Sequence, residues 1–181
     1  MSGHSRWSQI KRQKGAADQK KGQLFGKISK LISMAAKSDP NPSTNLRLAT
    51  VIEQARAVNM PKDNIDRAIK RSGDKDASLL TEMTVQALAP GGVGLIITAI
   101  TDNKNRTISD IKNILAKHAS KMADEGSLSW QFEKKIGHQG ILWEAKYPTE
   151  VDAASRVALE QLFDELDQND DVDEIYSSLK T

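Results

Sequence analysis

Residues 89–107 read APGGVGLIITAITDNKNRT and contain a turn, a strand and the approach to a helix. The Pro-Gly-Gly at 90–92 is typical of a tight turn, because proline presets φ and glycine tolerates positive φ. The apolar, β-branched run at 93–101 predicts a buried central strand. A polar loop is expected at 102–106, and a helix from about Thr107.

The residues around this segment alternate between strand and helix periodicity. Strands are predicted at 83–87, 128–132, 141–145 and 170–178, and a second helix at about 151–167. The resulting order, strand-strand-helix-strand-strand-helix-strand, suits an antiparallel sheet with two helices on one face. Residues 79–181 are therefore predicted to form an α+β domain. In this interpretation Trp130 and Trp143 pack in the core rather than stack on bases.

The first part of the chain has a different character. Residues 1–16 are polar, basic and without a regular period, which predicts an arm. Helices are predicted at about 17–37, 44–58 and 61–72, with Ser43 or Thr44 capping the second one. The arm and the three helices form the first predicted domain, residues 1–78, and the polar residues 73–78 are a candidate linker.

The formal charge of +2 conceals a strong asymmetry between the two predicted domains. Residues 1–78 contain 16 basic and seven acidic side chains, whereas residues 79–181 contain ten basic and 17 acidic ones. A polyanionic partner is therefore expected to bind the first domain and to be repelled by the second.

The absence of cysteine excludes disulfides and thiol nucleophiles. With neither an apolar run of about 20 residues nor a secretory signal, the sequence predicts a soluble, cytoplasmic protein.

The candidate nucleic-acid-binding residues lie in the basic N-terminal third. Residues 1–37 contain nine Lys and Arg against one acid, Asp18. Cations at this density suit phosphates, because each neutralised phosphate releases condensed counterions, and Trp7 or His4 can stack on an unpaired base. The predicted contacts are His4, Arg6, Trp7, Lys11, Arg12, Lys14, Lys20, Lys21, Lys27, Lys30, Lys37 and Arg47. The alternative is a solvated segment without a ligand.

Further cations on the second and third predicted helices are open to two interpretations. They either extend the cationic surface or only solvate their helices, whose dipoles favour cations near the C-terminal end. These residues are Arg56, Arg67, Lys70 and Arg71.

The polar loop after the central strand is a possible secondary contact with RNA or a protein partner. Asn103, Asn105 and Arg106 open a helix there, where exposed amides can bind an anion. The alternative is that the loop only caps the helix, with Asn105 or Thr107 as the N-cap residue.

Catalytic and metal chemistry are not indicated by the sequence. The glycines at 91–94 precede a strand and lack a following Lys-Ser/Thr, so they form neither a P-loop nor a dinucleotide fingerprint. His4, His118 and His138 have no metal-ligand spacing, and His118 is expected to be structural near a helix end. No serine has the context of a nucleophile elbow. The sequence therefore predicts a protein that is not an enzyme and that has no catalytic residues, cofactor or metal.

Four segments together resemble the YebC/PmpR family, which includes a mitochondrial translational activator of cytochrome oxidase. They are SGHSRWSQIKRQKGA at 2–16, NMPKDNIDRAIKR at 59–71, APGGVGLIITAITDNKNRT at 89–107 and EGSLSWQFEKK at 125–135, and the ending DDVDEIYSSL at 170–179 also fits. The resemblance implies a three-helix domain followed by a ferredoxin-like α+β domain. Family members are named as probable DNA-binding transcriptional regulators. Members are also implicated in translation on the ribosome, including at proline-rich nascent sequences.

The usual family architecture has a third domain inserted in the second one. Here ILWEAK at 141–146 is followed directly by YPTEVDAAS at 147–155, so the insert is expected to be missing. Three functional hypotheses remain. The first is a translation factor that binds RNA of the ribosome, and the second is a transcriptional regulator that binds duplex DNA. The third is a small-molecule sensor or enzyme, for which the sequence shows no convergent polar pocket. The oligomeric state is not indicated.

Overall fold

The computed structural model describes residues 18–74, 79–137 and 140–180. We call residues 18–74 the helical region and residues 79–180 the sheet region. The helices are α1 (Asp18–Ala36), α2 (Leu46–Ala57), α3 (Lys62–Arg71), α4 (Lys104–Lys117) and α5 (Ala153–Gln168). The strands are β1 (Thr81–Ala89), β2 (Val93–Thr101), β3 (Lys121–Ala123), β4 (Phe132–Gly137), β5 (Gly140–Ala145) and β6 (Val172–Ser177). None of the described helices has the length and apolar content needed to cross a membrane.

The helical region packs around an aliphatic core of its own. Ile32 of α1, Leu48 of α2 and Ile65 of α3 are all buried in this core. A buried hydrogen bond of 2.8 Å from the Ser33 hydroxyl to the carbonyl of Ala68 also joins α1 to α3. The apolar stripes that predicted the three helices are thus the buried stripes, and the helices are confirmed to within two residues at each end.

The start of α2 differs from the prediction, because Asn45 caps it instead of Ser43 or Thr44. The Asn45 Oδ1 accepts a hydrogen bond from the Leu48 N–H at 3.0 Å. The Asn45 Nδ2 donates to the main-chain carbonyl of Ala35 at 2.8 Å. An amide accepts through its oxygen and donates through its nitrogen at the same time. Asn45 therefore caps α2 and also joins it to the end of α1.

The sheet region is built on a four-stranded sheet with the order β3-β1-β2-β6, in which every neighbouring pair is antiparallel. Leu95 and Ile97 of β2 are buried in one core with Ile111 of α4 and Leu162 of α5, so both helices cover the same face. The predicted α+β class is confirmed. The elements of the sheet and its helical layer follow the order β-β-α-β-α-β, a different connectivity from the β-α-β-β-α-β of ferredoxin-like domains.

The Pro-Gly-Gly segment forms the predicted tight turn between β1 and β2. Gly91 and Gly92 have φ values of 73° and 76°, which L side chains rarely adopt. A Cβ added at Gly91 would also lie only 2.6 Å from the Val151 Cγ1. The turn therefore needs glycine for its backbone conformation and for its contact with the start of α5. The central strand β2 has the predicted bounds.

The segment before β4 does not form the predicted strand at 128–132. Successive hydrogen bonds from the N–H of residue i+3 to the carbonyl of residue i form turns across 124–131. Leu128 is buried in this segment, whereas Trp130 is 60% exposed. The prediction that Trp130 packs in the core is therefore wrong. The short strand β3, which the periodicity did not predict, occupies the sheet edge beside β1.

The hairpin of β4 and β5 is a separate two-stranded sheet that covers the face of the main sheet opposite α4 and α5. Phe132 of the hairpin is buried against Ile96 and Tyr176 of the main sheet, and Trp143 packs against them, as predicted for that residue. β5 ends at Ala145 and α5 begins at Ala153, so the connection between them is short. Of the predicted linker at 73–78, residues 75–78 lie outside the described residues.

Candidate nucleic-acid interface

Half of the predicted contacts lie on the N-terminal arm, outside the described residues. They are His4, Arg6, Trp7, Lys11, Arg12 and Lys14, and they remain predictions. Lys20 lies in the first turn of α1. Lys21 is exposed, with its Nζ 5.8 Å from the centre of the Phe25 ring.

Two of the remaining predicted contacts, Lys27 and Lys30 of α1, bind the sheet region instead of facing solvent. The Lys27 side chain is only 8% exposed, and its Nζ donates to the Asp167 main-chain carbonyl and lies 3.4 Å from the Asp167 Oδ1. The Lys30 Nζ donates to the carbonyl of Asp170 at 3.0 Å and to the Asp171 Oδ1 at 2.6 Å. Lys27 is too enclosed to reach a phosphate in this arrangement.

Two further predicted contacts lie at the same junction. The Lys37 Nζ donates to the carbonyl of Leu80 at 2.7 Å, and the Arg47 guanidinium forms an ion pair with Glu82. We call these contacts, together with those of Lys27 and Lys30, the docking contact. In this arrangement all four cations bind acceptors of the sheet region, and their contact with phosphates remains a prediction. Lys37 and Arg47 are exposed despite these contacts.

Asp171 is the centre of the docking contact. Besides Lys30, its carboxylate accepts hydrogen bonds of 2.8 Å from Arg106 and from the Thr107 hydroxyl, and a longer one from Thr101. Burial alone would raise the pKa of Asp171, but the hydrogen bonds from Arg106, Lys30 and Thr107 outweigh it and lower that pKa to about 2. Asp171 is therefore ionised at neutral pH and joins α1, α4 and β2 through one carboxylate.

A second carboxylate near the junction behaves in the opposite way. Burial raises the pKa of Asp173 to about 6, and the nearby positive charges of Lys27 and Arg47 offset only part of this effect. Asp173 is thus an acidic group whose pKa lies near neutral pH, at the contact between the two regions.

Two of the predicted secondary contacts after β2, Asn103 and Arg106, also stabilise the fold. Asn103 is the N-cap of α4, because its Oδ1 accepts from the Arg106 N–H at 3.1 Å; the predicted cap was Asn105 or Thr107. The Arg106 guanidinium forms ion pairs with Asp102 and with Asp171 of the docking contact. Thr107 is buried. All three predicted secondary contacts, Asn103, Asn105 and Arg106, are exposed, and their contact with a partner remains a prediction.

Two exposed cations of α3, Arg67 and Arg71, lie at a cleft between α1 and α3. The cleft has a volume of about 160 Å³ and is partly open to solvent. It is lined by Phe25, Gly26, Ser29, Asn64, Arg67 and Arg71, among others. Arg67 and Arg71 are exposed and lie one turn apart on α3, and neither belongs to an ion pair among the described residues. Two like charges at this spacing repel each other slightly, whereas the helix dipole favours a cation in the last turn of α3, where Arg71 lies.

Histidine and acidic side chains do not form a metal centre within the described part of the chain, where no group of three potential ligands lies close together. His118 ends α4 and lies 2.7 Å from the Glu165 Oε2, so its predicted structural position near a helix end is confirmed. His4 and His138 lie outside the described residues.

Sequence reasoning missed the carboxylates that receive the lysines. The acidic ending reads as a solvated face, yet the carboxylates of Asp167 and Asp171 and the main-chain carbonyl of Asp170 accept from the lysines. The charges of Lys27 and Arg47 also act on Asp173. The signal that could have identified them is the opposite net charge of the two halves of the chain. Net charges of opposite sign on two parts of one chain predict that the parts attract each other, and also that the positive part attracts a polyanion.

Comparison with known proteins places both regions in one family. Residues 5–75 match the TACO1/YebC protein N-terminal domain, and residues 80–140 match the TACO1/YebC second and third domain. A "Probable transcriptional regulatory protein" of Petrotoga mobilis is 41% identical over 181 residues, covering 98% of this chain and 70% of the relative. A protein of the same name from Desulfosudis oleivorans is 40% identical over 182 residues, covering 99% and 72%.

A solved structure agrees with these sequence matches. The crystal structure of a conserved hypothetical protein from Aquifex aeolicus superposes with a TM-score of 0.79 at 25% identity, covering 88% of this chain and 90% of that one. The fold, the two matched segments and the relatives of nearly 40% identity or more agree. The chain therefore belongs to the TACO1/YebC family.

Proposed function

We propose that the protein is a nucleic-acid-binding regulator of gene expression that acts by binding alone, and that its target is RNA of the ribosome. The observation that carries this proposal is the cationic cleft of the helical region, where Arg67 and Arg71 have no carboxylate partner among the described residues. Lys21 adds a further positive charge beside the cleft, and the basic arm at residues 1–16 precedes α1 in the sequence.

The shape of this surface supports RNA over duplex DNA. Reading a major groove requires a convex helix whose exposed side chains reach base edges. The open arginines of α3 instead line a concavity, which suits a single strand or a protruding backbone phosphate. The long helix α1 directs Lys27 and Lys30 towards the sheet region.

Duplex DNA is the second candidate, and the printed names of the relatives favour it. The proteins of Petrotoga mobilis and Desulfosudis oleivorans are both called probable transcriptional regulatory proteins. Regulation of transcription would make promoter DNA the natural ligand of this chain as well.

A direct competition distinguishes the two targets. The full chain is titrated, at several salt concentrations, with a ribosomal RNA fragment, purified ribosomes, promoter duplexes and random duplexes. The proposal expects RNA and ribosomes to bind more tightly than either duplex, with a log–log salt slope of several units. Tighter, sequence-specific binding to promoter duplex would establish the DNA alternative, and a slope near zero with all four ligands would contradict nucleic-acid binding altogether.

A further inference from the structure

We propose that the cleft between α1 and α3 is a phosphate-binding site, in which Arg67 and Arg71 hold a backbone phosphodiester of single-stranded RNA against the bare helix backbone at Gly26. This inference rests on the proposed function and deepens it, because it names the described residues that receive the strand.

The cleft is partly open to solvent and can admit a phosphate group. Its volume of about 160 Å³ is several times the roughly 30 Å³ that one water molecule occupies in the liquid. It lies at the surface of the helical region between two helices that Ser33 and the core hold together. A strand can therefore enter the cleft without the helices moving apart.

The lining groups suit a phosphate. A guanidinium presents paired donors in a plane and binds phosphate oxygens in a bidentate manner. The cleft has two of them one turn apart, and Ser29 and Asn64 add neutral donors. None of the described residues that line the cleft is acidic, so a phosphate would meet no like charge there. Phe25 gives one apolar wall that suits a ribose or a base.

Gly26 leaves the helix backbone open where α1 borders the cleft. A Cβ added at Gly26 would have no described neighbour within 4 Å beyond its own helix. Gly26 lines the cleft, and the missing side chain leaves the floor of the cleft open to close approach.

Gly22 provides a matched control one turn earlier on α1. A Cβ added there would also have no described neighbour within 4 Å, but Gly22 is not among the residues that line the cleft. Alanine at either position should stabilise α1 equally and raise the melting temperature by a few degrees. Gly26→Ala should narrow the cleft between α1 and α3, whereas Gly22→Ala should leave its width unchanged.

The test measures binding of a fluorescently labelled, unstructured single-stranded RNA oligonucleotide to the full chain by anisotropy. Gly26→Ala is expected to weaken binding roughly tenfold while the melting temperature stays equal or rises. Gly22→Ala should bind as the wild type does. Arg67→Ala and Arg71→Ala should each weaken binding and lower the log–log salt slope by about 0.7. Lys62→Ala, an exposed cation at the start of the same helix, should change the affinity much less.

The outcomes distinguish failure of the phosphate site from failure of the proposed function. If wild type binds RNA with a steep salt slope but Gly26→Ala, Arg67→Ala and Arg71→Ala bind equally well, the cleft is not the site and the proposed function stands. Equal losses for Gly22→Ala and Gly26→Ala would also overturn the site. If inorganic phosphate alone binds as tightly as the oligonucleotide, the cleft is a site for the free ion and not for a strand. If wild type binds no nucleic acid, the site and the proposed function both fail.

Discussion

Two sets of cations on the helical region differ in whether they have an acidic partner within the described part of the chain. Lys27 and Lys30 face the sheet region and bind Asp167 and Asp171, whereas Arg67 lies at an open cleft with no described acidic partner. In the sequence the lysines of α1 are the stronger candidates for phosphate binding, because they follow the basic arm. The difference shows that a run of positive charge predicts attraction to an anion without telling whether that anion is a ligand or a carboxylate of the same chain.

The energetic character of the two sets also differs. A lysine is almost never buried unless its charge is paired, so Lys27 depends on its acceptors on α5. An exposed arginine such as Arg67 keeps its hydration and loses little when it has no partner. Changes in the docking contact should therefore alter the stability of the fold, and changes in the cleft should alter ligand affinity alone.

The largest effect on stability is expected from Asp171→Ala. This change removes the common acceptor of Lys30, Arg106 and Thr107. We expect a loss of about 2–4 kcal/mol in the free energy of unfolding, less than for a fully enclosed pair because Arg106 is half-exposed. Urea denaturation followed by circular dichroism measures this loss.

Asp170→Ala is the matched control for that experiment. Asp170 contributes only its main-chain carbonyl to Lys30, and its side chain is exposed. Its replacement should change the free energy of unfolding by less than about 0.5 kcal/mol. Equal losses for Asp170→Ala and Asp171→Ala would show that the docking contact does not depend on the Asp171 carboxylate.

The second carboxylate of the junction predicts a pH dependence. The pKa of Asp173 is about 6 in the native state against 3.8 for a free aspartate, so the native state holds a proton that the unfolded chain has lost between these values. The contribution of Asp173 to stability therefore falls as the pH rises from about 4 to 6. Asp173→Asn should remove this fall and stabilise the protein at neutral pH by about 1–2 kcal/mol.

Thermal melts of wild type and Asp173→Asn across that pH range test the assignment. The two curves should converge at about pH 4 and separate progressively up to pH 6, with the variant more stable. Asp171, whose pKa is lowered to about 2, contributes the opposite dependence, which appears only below about pH 4 in both proteins. A variant that is less stable than wild type at neutral pH would contradict the raised pKa of Asp173.

The smallest effect is expected at the exposed edge of the docking contact. Arg47 and Glu82 are about half-exposed, and exposed ion pairs are worth between about 0 and 1 kcal/mol. A double-mutant cycle of Arg47→Ala and Glu82→Ala should therefore give a coupling energy in that range, reduced further by salt. A coupling well above this range would mean that the pair is more enclosed than its exposure indicates.

The sequence correctly predicted those elements whose backbone conformation is determined by neighbouring residues in the chain. The turn at Gly91 and Gly92, the central strand β2 and the three N-terminal helices follow from turn chemistry and periodicity. Periodicity failed at Leu128 and Trp130, because consecutive turns can place alternate side chains inward and outward as a strand does. The number of residues between apolar positions cannot distinguish these two backbones.

The docking contact could not be predicted because it joins distant parts of the chain. Lys27 and Asp167 are 140 positions apart, and no local pattern pairs them. The cleft was predicted only in part. Arg67 and Arg71 were recognised as a possible cationic surface, but their position opposite Gly26 depends on how α3 packs against α1.

We propose that cations facing the sheet region bind acceptors of the same chain, whereas cations at the cleft bind phosphates of a ligand. The most direct test compares the salt dependence of RNA binding by Lys27→Met, Arg67→Ala and the wild type, with circular dichroism confirming that each variant is folded. The account predicts that Arg67→Ala lowers the log–log slope by about 0.7 and that Lys27→Met leaves the slope unchanged. A slope lowered by Lys27→Met and unchanged by Arg67→Ala would contradict it.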